Sequence, residues 1–236
     1  MRVRDLHPWD LSPPAAMALQ TRLAPQVVLE GDPGDVRLVA AADVAFVDPP
    51  QAGRRPGLAR AAVLLLSYPE LALLESHVIE GPVTFPYVPG LLSFRETPVL
   101  TQAFARLSRE PDLLLVDGHG YAHPRRFGLA CHLGLLLAVP TIGCAKSRLC
   151  GEHAQPAPER GSACALVHEG EVVGLVLRTR DGVAPVYVSA GHKIGLQSAA
   201  QWVLRLTRGY RLPEPIRGAD RLSKGRALPP PQADRP

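Results

Sequence analysis

A chain of 236 residues is long enough for one well-covered α/β core and short for two. Apolar residues make up 46% and aromatics only 5%, so leucine, valine and alanine must fill the interior, while a net charge of +4 is weak evidence for a polyanionic partner. Every apolar stretch is broken by Arg, Glu or Pro well before about 18 residues, and no apolar signal core follows Met1-Arg2-Val3-Arg4-Asp5, so a membrane span is excluded and a soluble cytoplasmic protein is expected.

The first predicted element is a helix over 12–30, with Ser12 as N-cap, Pro13 and Pro14 in the first turn, and Met17, Leu19, Leu23 and Val27 along one face. Strand-like runs follow at 36–47, 60–67 and 71–79. The last two are joined at Tyr68-Pro69-Glu70 as an antiparallel hairpin, and 49–57 reads as a surface loop. Alternation then takes over: helix 97–108, strand 112–117, helix 126–137 and strand 139–145. A hairpin at 163–178 turning at Glu169-Gly170-Glu171, a strand at 185–189 and a helix at 196–208 complete the series. An antiparallel meander followed by parallel αβ units predicts a mixed sheet with helices on both faces, the order of a ribonuclease H-like fold. Residues 1–222 read as a single domain and 223–236 as a disordered, Pro-rich tail. The four cysteines, at 131, 144, 150 and 164, have no zinc spacing and read as free thiols.

Chemistry concentrates where apolar runs end. Leu113-Leu114-Leu115-Val116 delivers Asp117 into Gly118-His119-Gly120-Tyr121-Ala122-His123-Pro124, and Val36–Val44 carries the lone acid Asp43. A carboxylate in a buried strand is costly unless a cation or partner compensates it, so two of them suggest a shared metal. With Glu96 and Asp220 the candidate acids number four, from separate segments, and carboxylate oxygens select Mg²⁺ or Mn²⁺. The bland alternatives are a satisfied buried acid at Asp43 and a solvated charge at Glu96.

Ahead of Glu96, Phe85-Pro86-Tyr87-Val88-Pro89-Gly90 forms a proline-stiffened tip, which suits a wedge between bases or, equally, an ordinary packed loop. Lysine occurs only at 146, 193 and 224, and Lys146 ends a buried strand, where an ammonium can hold a phosphate or orient a water. Gly90, Gly118, Gly120 and Gly128 lie beside the acids, where a flat base can rest on bare backbone. His123 is the better candidate for a polar group near the site, with His192 as a structural hydrogen-bonder. No Ser-His-Asp arrangement, Walker loop, dinucleotide fingerprint or zinc motif is present.

Taken together these motifs closely resemble the endonuclease V family over about residues 4 to 222. Five carry the likeness: Asp43-Val44-Ala45-Phe46; Phe85–Gly90 with Phe94-Arg95-Glu96; Asp117–Gly120 with Ala122–Arg125; Pro140–Gly143 with Ala145–Arg148; and Val188–His192. The resemblance implies a Mg²⁺-dependent enzyme of DNA repair, with Mn²⁺ as substitute, that recognises deoxyinosine. It would cut the second phosphodiester bond 3′ to that base and leave 3′-hydroxyl and 5′-phosphate ends. By the same likeness Asp43 and Asp117 are metal ligands, Glu96 is the catalytic glutamate and Lys146 the active-site lysine. Pro86, Tyr87, Val88 and Pro89 match the strand-separating wedge, Gly90, Gly118 and Gly120 the backbone of the base pocket, and His123 the histidine beside it. Ala41 and Ala190 depart from residues common in the family, glycine and proline. Position 220 is Asp where the family has Asp or His, which makes it a further candidate ligand.

Two rivals are carried alongside: a ribonuclease H-like nuclease that selects structure, or inosine in RNA, and a non-catalytic binder of modified nucleic acid. The expected partner is inosine-containing DNA, with RNA as the alternative, and the expected state is a monomer.

Overall fold

The computed structural model describes residues 1–48 and 57–228. Eight strands form one mixed sheet in the order β3-β2-β1-β4-β5-β8-β7-β6. They are β1 (Leu38–Asp48), β2 (Gly57–Ser67), β3 (Leu73–Val83), β4 (Leu113–Val116), β5 (Thr141–Ala145), β6 (Ala163–His168), β7 (Glu171–Leu177) and β8 (Val186–His192). β1, β2 and β3 make the antiparallel meander, and β1, β4 and β5 run parallel. Parallel character ends there, because β8 pairs antiparallel with both β5 and β7.

Among the described residues there are five α-helices, α1 (Pro13–Leu23), α2 (Leu92–Phe104), α3 (Leu129–Leu137), α4 (Leu196–Arg205) and α5 (Glu214–Ser223), of which α2 and α3 cover one face of the sheet and α4 and α5 the other. Strand alternation sorts the core. Ala40, Ala42, Val63, Leu65, Leu114 and Val116 pack with Val99, Leu100 and Phe104 of α2 and Leu129 and Leu133 of α3. Val39, Ala41, Leu64, Leu113, Leu115 and Ile142 face the other way, against Trp202 and Val203 of α4 and Ile216 and Ala219 of α5. Alanines on β1 let the helices approach closely, and the large side chains come from the neighbours. A third cluster seats α1 on Phe85, Phe94, Phe127 and Leu135, away from the sheet's centre.

Element boundaries moved where proline has two readings. The expected helix 97–108 begins at Leu92, which places Pro98 in its interior and leaves the Phe94 carbonyl without an intrahelical donor. Glu96 therefore belongs to the helix and not to the loop before it. The segment after Pro213, to which no helix was assigned, is α5: Pro215 occupies its first turn, where a missing amide costs nothing. The tail expected from residue 223 starts inside this helix, since Ser223 is its last residue and is buried. Residues 229–236 of that tail, and 49–56 of the expected loop, lie outside the described residues. In the first helix Ser12 accepts the Ala15 amide as read, but α1 stops at Leu23 and a 3-10 turn follows. The four cysteines are free thiols. Among the described residues no helix is long and apolar enough to cross a membrane.

Candidate active site

Register sets the centre of the site. β1 and β4 pair in parallel up to Ala42 opposite Val116, so the next residues, Asp43 and Asp117, are neighbours on adjacent strands. Asp43 lies two residues beyond Ala41 and shares its face, toward α5. There α5 supplies Asp220, and one carboxylate oxygen from each of Asp43, Asp117 and Asp220 lies within 4.8 Å of the others.

Three carboxylates this close repel, and the surroundings answer that repulsion. Lys146, just past the end of β5, places Nζ 2.6 Å from Asp117 Oδ2 and 3.2 Å from Asp220 Oδ1. The Lys146 backbone carbonyl accepts from Arg211 Nη2 at 2.6 Å, which fixes the stem. Lys224 Nζ adds a second ammonium 2.7 Å from Asp220 Oδ1. The buried Ser223 hydroxyl donates to Asp43 Oδ2.

Proton affinities follow from these contacts. Burial pushes the Asp43 carboxyl above its ordinary value; the Ser223 hydrogen bond opposes this, and the charges of Asp117 and Asp220 add to it. Burial raises Glu96 well above the usual glutamate range, and Asp43 and Asp117 reinforce the shift. Burial raises Asp220 as well, but Lys224 and Lys146 outweigh it and hold the group below its ordinary value. Desolvation would lower the Lys146 ammonium, but Asp117 and Asp220 outweigh it and keep the group charged.

Of the sequence-predicted residues, Asp43, Asp117, Asp220 and Lys146 are brought together, with buried Glu96 near enough to feel the first two. His123 stands apart. Its Nε2–H donates to the Gly90 carbonyl at 2.9 Å and its Nδ1 accepts the Arg125 amide at 3.1 Å, which defines a neutral ring. Burial lowers its pKa to about 4. The same Gly90 carbonyl also accepts from Gln20 and Arg125, each at 3.0 Å, so His123 is one of three anchors for the Pro86–Gly90 tip. Gly90 itself has φ +79°, which a side chain rarely adopts.

Tyr87 projects from that tip, 73% exposed. The Arg95 guanidinium lies 5.6 Å from the Tyr87 ring and 4.8 Å from the Phe46 ring, so one cation underpins two aromatics. At Gly120 and Gly128 the space a Cβ would take is filled by protein backbone, with Ala190 O at 2.2 Å and His119 O at 2.3 Å. Packing alone requires these two glycines, and what they offer a ligand is backbone. Gly118 has ordinary clearance, 3.4 Å to Leu129. The Gly120 amide donates to Ser189 Oγ at 2.8 Å, which pins the loop to β8. A cavity of about 390 Å³ at the β6–β7 turn, lined by Glu152, Val167, His168 and Glu169, contains none of the acids.

Sequence reading missed Ser223, Lys224, Arg211 and Gln20. The first two had a signal, because they follow Asp220 by three and four residues, the spacing of one helix face. Recognising it required the helix. Arg211 and Gln20 act on groups distant in the chain and left no local mark.

A ribonuclease H-like sheet with carboxylates converging at the ends of its parallel strands, and a lysine bridging them, defines a class of nucleases. Comparison with known proteins places the chain within that class: the Endonuclease V family matches residues 21–221, and the chain belongs to that family. Endonuclease V of Gloeobacter violaceus is 52% identical over 220 residues, covering 92% of this chain and 87% of that one. The crystal structure of Endonuclease V from Streptomyces avermitilis superposes with a TM-score of 0.84 at 40% identity, covering 95% and 97% of the two chains. Endonuclease V of Ciona intestinalis, in complex with a 24mer DNA containing an inosine followed by a ribo-adenosine, gives 0.72 at 28% identity over 88% and 94%.

Proposed function

We propose that this protein is a Mg²⁺-dependent endonuclease of DNA repair that recognises deoxyinosine and hydrolyses the second phosphodiester bond 3′ to it, leaving 3′-hydroxyl and 5′-phosphate ends. The observation that carries the reading is the convergence of Asp43, Asp117 and Asp220 within 4.8 Å in a chain of the endonuclease V family. Three hard oxygen donors with a surplus of negative charge fit Mg²⁺, and Mn²⁺ in its place; Asp43, Asp117 and Asp220 would hold the ion. Bound there, a divalent cation supplies charge stabilisation at a phosphoryl oxygen and a more acidic water.

The chain's own residues supply the rest. Tyr87, stiffened by Pro86 and Pro89 and backed by Arg95, opens the duplex and fills the space the base leaves. Extruding a base takes a few kcal/mol, roughly, and least where pairing is already poor, so an inosine mispair is favoured before any contact forms. Backbone at Gly118 and at Gly90 then reads the hypoxanthine edge, with Gly120, whose amide Ser189 holds, shaping the loop beside it. An adenine amino group facing those amides would leave donors unpaired, which a desolvated site rejects strongly. Lys146, held charged by Asp117 and Asp220, neutralises charge growing on the phosphate. Glu96, buried and near enough to Asp43 and Asp117 to feel their charge, would complete the metal shell or orient the attacking water. His123 acts through the tip it anchors. We place the enzyme in the cytoplasm as a monomer folded over residues 1–222 and the last turn of α5.

The deciding experiment is nicking of end-labelled duplex and single-stranded oligonucleotides with one deoxyinosine, in Mg²⁺ or EDTA, beside the matched ribo-substrate. The expected result is a Mg²⁺-dependent cut one nucleotide beyond the inosine's 3′ side. Cutting indifferent to inosine would replace this reading with a structure-selective nuclease, and tight binding without a cut would replace it with a binding protein. The ribo-adenosine beside inosine in the Ciona intestinalis complex favours testing RNA as a second substrate, and the DNA-to-RNA rate ratio decides between them.

A further inference from the structure

Asp220 comes with two companions for which the proposed reaction has no use. Ser223 ends α5 and Lys224 caps it, three and four residues after Asp220, so the three side chains share a face. Ser223 Oγ touches Asp43 Oδ2 and also lies 3.0 Å from the Asp220 carbonyl. One hydroxyl proton cannot serve both, and the ionised acceptor holds it. A buried hydroxyl thus keys α5 to β1, in addition to the apolar contacts of Ile216 and Ala219.

The helical spacing itself sets Lys224 on Asp220 Oδ1, and the docking brings that oxygen within reach of Lys146. A divalent cation seeking this carboxylate meets two ammoniums on Oδ1 and competes with both for its charge. Lys146 is the more firmly held: its Nζ is also bound to Asp117, and Arg211 fixes its backbone. Lys224 is 46% exposed at the end of a helix, and Asp220 is its one ion-pair partner among the described residues. Once displaced, it is a flexible point charge at the rim of the acid cluster, which water satisfies in the free protein and a phosphate oxygen can satisfy when nucleic acid is present.

We propose that Lys224 is a further substrate-binding residue of this site: it holds Asp220 while no cation is bound, and passes to a phosphate oxygen of the nucleic acid once a cation takes that carboxylate. The proposal rests on reading the acid cluster as a divalent-cation nuclease site. It makes Lys224 a competitor of the cation in the free protein and a partner of the substrate in the loaded one, two effects of opposite sign from one side chain.

The test titrates Mn²⁺ into the full chain without nucleic acid, following free Mn²⁺ by electron paramagnetic resonance, for wild type, Lys224→Met, Lys224→Arg and Asp43→Asn. Lys224→Met should bind Mn²⁺ about two- to fivefold more tightly, the range an exposed ion pair supports, while Lys224→Arg stays near wild type. In nicking assays Lys224→Met should raise KM several-fold with kcat little changed, and Lys224→Arg should restore KM. Unchanged or weaker Mn²⁺ binding in Lys224→Met, or an unchanged KM, overturns the proposal while leaving the site reading intact, provided Asp43→Asn has lost Mn²⁺. If Asp43→Asn binds Mn²⁺ like wild type, the site reading fails and this proposal with it.

Discussion

Removing the charge at Asp43 should stabilise the protein while it abolishes cleavage. The ligand oxygens of Asp43, Asp117 and Asp220 lie within 4.8 Å of one another. At that separation each like-charge pair repels by about 0.9 kcal/mol even at the dielectric constant of water, and by about 3.5 kcal/mol at an effective value of 20. Asp43→Asn ends two such repulsions. It weakens one contact, because the amide oxygen still accepts the Ser223 hydroxyl but without the charge, which returns about 1 kcal/mol. The difference is a gain of about 1–6 kcal/mol. The attraction of Lys146 that is lost with the charge draws it to the lower end, on the order of 1–2 kcal/mol, or a melting temperature about 2–8 °C higher for a chain of this size. The assay is thermal melting in EDTA, then with excess Mg²⁺: wild type should gain stability from the cation and the variant should not, so the two curves approach or cross. pH supplies an internal control. Asp43 has its pKa raised in the fold, so its charge destabilises; stability is fullest with the proton on and declines as pH rises through the folded value. The advantage of Asp43→Asn should therefore shrink on acidification. A variant that melts below wild type in EDTA at neutral pH would refute the electrostatic reasoning, and retained cleavage would refute the assignment of the ligand.

Tyr87→Ala should leave melting within about 0.5 kcal/mol of wild type, because the ring is exposed, and should slow nicking of duplex more than of single strands; equal losses on both would remove the wedge. Gly120→Ala forces a Cβ to within 2.2 Å of the Ala190 carbonyl, so it should cost about 1–3 kcal/mol in urea unfolding and depress cleavage by moving the loop after Asp117. A stable Gly120→Ala with normal cleavage would mean that the loop has room the packing does not allow.

The two strand-borne acids were legible because a buried parallel strand is an almost unbroken apolar run, against which a single carboxylate stands out. The same contrast exposed Lys146, at the end of a buried strand in a chain with three lysines. What stayed hidden depended on proline or on distance. Pro98 reads as a helix start and sits mid-helix, and Pro215 with Gly218 disguises α5 as a loop. Without that helix, Asp220 was a candidate ligand in need of a carrier, and Ser223 and Lys224 fell into an expected tail. His123 was legible as important but not as an anchor, since its partner Gly90 lies 33 residues away and offers only a carbonyl. The glycines carried an ambiguity that sequence cannot resolve: a missing Cβ at 120 and 128 marks close approach without saying whether a ligand or the protein's own backbone approaches.

Asp43 and Asp220, which meet in space, are separated by 177 positions along the chain. At a synthesis rate of about 5–20 residues per second, roughly 9–35 s pass between the first acid leaving the ribosome's catalytic centre and the last being joined. Once β5 has been made, β1, β4 and β5 can form while the carboxylate set is incomplete and α5 does not yet exist. Asp43 and Asp117 thus wait for Asp220 until α5, the last helix in chain order among the described residues, has been made, and the order of the chain delays the complete carboxylate set to that moment.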